Sequence, residues 1–110
     1  MLKKSLPFLI PFVLFIILAS SPLTHALPEF RGVWIDVRSI PTSREGIEAM
    51  VKELALAHFN AILVESFYLG KTIYPSDFLA QQGLSRQMES FEQTNLDPLE
   101  IFIKSAHRYN

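Results

Sequence analysis

The chain has 110 residues, 49% of them hydrophobic, with no cysteine and ten basic side chains against eleven acidic ones. That length holds one small domain at most, and the missing cysteines exclude a disulfide scaffold and a lipid-modified cysteine alike. A formal charge of −1 without a basic cluster excludes the concentrated positive field that nucleic acid needs.

The first segment, MLKKSLPFLIPFVLFIILASSPLTHALP, follows the order of a secretory signal peptide. Lys3 and Lys4 form a basic start, Leu6 to Leu18 a mostly apolar core, and small and polar residues follow. Thr24-His25-Ala26 sets small residues at the two positions a signal peptidase reads, so residues 1–26 are expected to be removed. The alternative is an uncleaved membrane anchor. The core is short against the roughly 20 apolar residues a spanning helix needs, and Pro7 and Pro11 interrupt it. The expected destination is therefore secretion or the cell envelope, with only transient membrane contact through this segment. Cleavage leaves 84 residues carrying eight basic and eleven acidic side chains, a formal charge of −3.

Residues 27–110 contain no internal repeat, low-complexity run or linker. Glu29 to Arg38, EFRGVWIDVR, reads as a strand. Val33, Ile35 and Val37 share one face and Gly32, Trp34 and Asp36 the other, because strand side chains alternate; Pro41 is expected to close it. Thr42-Ser43-Arg44-Glu45 matches a capping box with Thr42 as the cap. Ile47, Met50, Val51, Leu54 and His58 then recur at helical spacing and predict a helix ending near His58. Phe59 begins a second strand reaching about Ser66, whose apolar run Ala61–Val64 stops at Glu65. Gly70 to about Asn95 reads as a long loop with room for one helical turn, and its stretch SRQMESFEQTN as solvated. Asp97 then caps a second helix, with Pro98 at the first position and Glu100 suited to the positive end of the dipole. Leu99, Phe102, Ile103 and Ala106 make its apolar stripe, and Tyr109-Asn110 stands where it would finish.

Strand, helix, strand, loop, helix implies a parallel strand pair joined by a right-handed crossover. Parallel sheets need helices to cover them and neighbouring strands to complete them. Two strands and two helices leave open edges and a bare apolar face. The expectation is the first part of a larger α/β domain.

Four segments carry a resemblance: FRGVW at Phe30–Trp34, FNAI at Phe59–Ile62, YPS at Tyr74–Ser76 and DPLEIFIKSAH at Asp97–His107. In order and spacing they resemble the start of the glycosyl-hydrolase-like 10 domain, a family of exported family 10 glycosylhydrolase-like proteins. The resemblance implies a (β/α)8 TIM barrel, of which this chain would supply the N-terminal β-α-β-α portion, and carbohydrate hydrolysis as the activity. Such a barrel takes roughly 250 residues, so most of it would lie elsewhere, and this part alone is expected to be inactive. One departure is His58, where many relatives have glycine; histidine must accept the helix-ending geometry under strain.

In such a barrel the carboxyl ends of the strands face the active site. If Gly32, Trp34 and Asp36 of the first strand and Leu63 and Glu65 of the second point inward, both carboxylates reach one mouth. Glycoside hydrolysis uses two carboxyl groups flanking the bond, which makes Glu65 and Asp36 the candidate catalytic residues. Trp34, Tyr68 and Tyr74 are candidate sugar platforms, and Arg38 a candidate for binding sugar hydroxyls, a substrate carboxylate or Asp36 itself. Each has a plainer reading. Strand-end carboxylates also pair with arginine or a backbone N–H, Trp34 could be core, and Tyr74-Pro75 could simply shape a turn. His25, His58 and His107 have no paired spacing for a metal, and no cofactor is expected. Two other functions compete: a carbohydrate- or cell-wall-binding barrel without turnover, and a short secreted interaction protein that folds with a partner.

Overall fold

The computed structural model describes residues 29–109. The expected signal segment, the alternative anchor and Asn110 lie outside the described residues. The described part is mixed α/β, with four helices and two small sheets.

Strand β1 (Gly32–Ile35) pairs in parallel with β2 (Ala61–Val64), Gly32 opposite Ala61 and Ile35 opposite Val64. β1 is shorter than its alternation predicts. Asp36 ends it, because its side chain accepts the Arg38 backbone N–H and turns Val37–Ser39 into a 3-10 turn well before Pro41. At the other end Asn60 extends the pairing with its side chain. Its Oδ1 accepts the Arg31 N–H at 2.8 Å, and its Nδ2 donates to the Glu29 carbonyl at 2.6 Å.

Helix α1 spans Arg44–Leu56. Its cap is Ser43 rather than Thr42: Ser43 Oγ accepts the Gly46 N–H at 3.1 Å. The shift has a steric companion, since a Cβ on Gly46 would lie 2.7 Å from Pro41 Cβ. Glu45 sits in the first turn, where its charge meets the positive end of the dipole. The helix stops two residues before the expected His58, which is exposed at φ 65°. His58 N–H donates to the Ala55 carbonyl and Phe59 N–H to the Leu54 carbonyl. This is the Schellman arrangement, which places the left-handed residue where glycine is usual.

The expected loop after Gly70 is folded. Strands β3 (Phe67–Tyr68) and β4 (Lys71–Thr72) form an antiparallel hairpin whose two turn residues, Leu69 and Gly70, have φ of 49° and 78°. Helices α2 (Asp77–Gln81) and α3 (Glu89–Glu92) follow. The stretch expected to be solvated is pinned in two places. Gln87 is buried and its Nε2 donates to the carbonyls of Ile73 and Leu96, at 2.7 and 2.6 Å, while Phe91 enters the core. Helix α4 (Pro98–Ala106) starts as expected, with Asp97 accepting the Glu100 N–H at 3.0 Å.

The core lies on one side of the parallel pair. Ile35, Val37, Ile40, Ile47, Val51, Ile73, Phe91, Ile101 and Phe102 are buried there, with Val33, Ile62 and Val64 packed against them. α1 and α4 pack on each other over this side. The opposite face is bare: Trp34 is 64% exposed, Leu63 44% and Phe30 70%. The Phe30 ring folds over Gly32, where a Cβ would come within 2.5 Å of it. Beside β2 an open groove of about 350 Å³ runs beneath α4, between Ile62 and Val64 of the strand and Leu99, Ile103 and Ala106 of the helix.

Candidate functional site

Parallel strands end together, so the residues just past β1 and β2 share one end of the sheet. Asp36 follows β1 and Glu65 follows β2. The bonds at the end of the ladder explain how closely they are tied. Glu65 N–H donates to the Ile35 carbonyl at 3.0 Å, and Glu65 Oε2 accepts the Val37 N–H at 3.0 Å. Glu65 therefore grips β1 on both sides of Asp36, once through its backbone and once through its carboxylate.

Asp36 is held in turn by Arg38. Its Oδ1 accepts from Arg38 N–H at 2.8 Å and Nε at 2.9 Å, and its Oδ2 from Nη2 at 2.8 Å. The fork-on-fork geometry is the strong form of an arginine–carboxylate pair. Hydrogen bonds from the Arg38 side chain, then from its backbone, hold the Asp36 carboxyl down at about 2. The Arg38 guanidinium is pushed further up by the same bond, with smaller charge contributions from Tyr68 and Glu65. Those contributions place all four groups in one electrostatic neighbourhood. Held ionised by Arg38, Asp36 suits the part of a charged partner better than that of a proton donor. It can act as a nucleophile, a base or a fixed negative charge.

Arg38 and Tyr68 also line a common open groove of about 230 Å³, floored by Ile40, Met88 and Phe91 and edged by Ser90. A hydroxyl, a guanidinium and an apolar floor suit a ligand with both polar and apolar faces. Tyr74 is different. It packs partly buried against the core, and its carbonyl accepts the Thr72 hydroxyl at 2.7 Å, which is the turn-shaping use of the Tyr74-Pro75 step. Trp34 is outside the core formed by the described residues. It lies exposed on the bare face, opposite Leu63 in the register.

The structure thus brings Asp36, Glu65, Arg38 and Tyr68 together, leaves Trp34 on the adjoining bare face, and draws Tyr74 into the core packing. Alternation missed the Val37 N–H, which joins the site as a donor. Its signal was indirect, since an amide leaving a ladder needs another acceptor. Among the described residues no cluster of three or more histidines and carboxylates could hold a metal, and no helix is long and apolar enough to cross a membrane. Comparison with protein-family models, curated proteins and solved structures finds no match.

Proposed function

We propose that this chain is the N-terminal β-α-β-α portion of an exported (β/α)8 barrel that hydrolyses glycosidic bonds in a polysaccharide or cell-wall glycan. The observation that carries the reading is the meeting of Asp36, Glu65 and Arg38 at the shared end of two parallel strands. It supports a cleft at the mouth of a barrel, where that architecture builds its active sites. The bare face with Trp34 and Leu63 fits the side that a closed barrel fills, and the open edges fit strands awaiting neighbours. Asp36, kept ionised by Arg38, fits the charged partner of an oxocarbenium-like transition state, and the protonated carboxyl must come from elsewhere in the barrel. The Arg38–Tyr68 groove offers hydroxyl contacts and an aromatic edge to a sugar.

One observation favours a second reading. Both carboxylates are already engaged by protein donors, which suits a barrel that binds glycans without cleaving them. The two readings separate in one experiment on the full secreted protein, with soluble chito-oligosaccharides and insoluble cell-wall glycan as probes. The hydrolase reading expects reducing ends to be released, and Asp36→Asn to slow release by roughly a hundredfold or more while binding persists. Binding without release by the unaltered protein supports the second reading. Neither binding nor release rejects both.

A further inference from the structure

We propose that Glu65 is a positioning residue: its carboxylate holds the Val37 N–H and thereby fixes the Asp36–Arg38 pair at the tip of β1. This assigns it a different part from the reacting carboxylate that its place at a strand end suggests. The proposal rests on the hydrolase reading only for what the cleft does, since the geometry stands without a sugar.

The ladder between β1 and β2 ends at the Glu65 N–H, which donates to the Ile35 carbonyl. The next bond of a parallel ladder would run from the Val37 N–H to the Glu65 backbone carbonyl, but that N–H goes to the Glu65 carboxylate instead. Val37 itself is only 4% exposed, and an amide left unpaired in such surroundings is costly. Glu65 Oε2 supplies the acceptor at 3.0 Å from the far strand, 28 residues away. Because residues 35 and 37 are both tied to Glu65, the backbone between them has little freedom. That backbone is Asp36, extended at φ −67° and ψ 140° and capping the turn that carries Arg38. The three Arg38 bonds to Asp36 demand this turn, since one of them comes from the Arg38 backbone N–H. Glu65 therefore acts on Asp36 through the main chain. A second contribution comes from charge, because Glu65 also adds to the field at Arg38.

Variants separate acceptor from charge. Glu65→Gln removes the charge and keeps an oxygen that can accept the Val37 N–H. Glu65→Ala and Glu65→Met remove both, and the methionine preserves side-chain bulk should the alanine fail to fold. The measurement is the carboxyl carbon resonance of Asp36 in the full secreted protein at about pH 4, near the ordinary aspartate value of 3.8, without any sugar. Asp36 is expected to be ionised in the unaltered protein and in Glu65→Gln. It is expected to be measurably more protonated in Glu65→Met and Glu65→Ala than in Glu65→Gln, with faster exchange of the Val37 amide. If Glu65→Met leaves Asp36 as ionised as Glu65→Gln does, the positioning role is overturned. Loss of hydrolysis in Glu65→Gln with Asp36 still ionised also overturns it, and returns Glu65 to the reacting groups. Because the resonance needs no substrate, failure of the hydrolase reading would leave this result intact.

Discussion

Arg38 donates to both Asp36 oxygens and holds that carboxyl down at about 2, below the usual 3.8. A carboxyl whose pKa is lowered by folding stabilises the fold fully above its unfolded value and stops doing so as pH falls through the folded one. The window here runs from about pH 4 down to about pH 2. Glu100 has its pKa lowered as well, by the hydrogen bond from Lys104 one turn on. Acid titration of the unfolding midpoint is therefore expected to fall more steeply across this window in the unaltered protein than in Asp36→Asn. The Glu100 contribution, present in both, cancels in the difference. Equal slopes would mean that the pair, exposed as it is, is worth little to the fold. That Asp36 and Glu65 follow two neighbouring strands was legible in the sequence, because the apolar runs they end are local features. The bond from Val37 N–H to Glu65 was not, because it depends on the register between two strands 28 residues apart.

Helix ends show the same division. Asp97, Pro98 and Glu100 announced α4 correctly, since cap chemistry is written in adjacent residues. At α1 two hydroxyls compete one residue apart, and the fit of Pro41 against Gly46 accompanies the use of Ser43. The β3–β4 hairpin was hidden because its turn reads Leu69-Gly70 instead of the usual Asn-Gly or Asp-Gly. Single buried residues in a polar stretch, Gln87 and Phe91, produce no period to detect. His58 is the element-scale case that strain made legible. At φ 65° it pays the left-handed cost that glycine avoids. His58→Gly is expected to raise stability by about 1 kcal/mol, seen as a higher denaturant midpoint at unchanged slope. Its carbonyl bond from Arg31 Nε, at 2.6 Å, is a backbone feature and survives the change. A lower midpoint would show that the imidazole contributes something the backbone does not.

At the scale of the whole molecule, the described residues cover the β1–β2 pair on one side. One side of the β1–β2 pair is covered by α1 and α4, while the other carries Phe30, Trp34 and Leu63 largely in water. A two-stranded parallel sheet with both edges open has few precedents as a stable unit, and the groove beneath α4 is shaped by a strand on one wall only. The proposed barrel resolves these features at once by supplying neighbours to both edges and filling to the bare face. The measurement that tests this most directly is thermal unfolding of residues 27–110 made alone, followed by circular dichroism with an apolar dye present. A broad, weakly cooperative transition with strong dye binding before melting is the expected result. A sharp two-state melt of a compact monomer that binds no dye would contradict it.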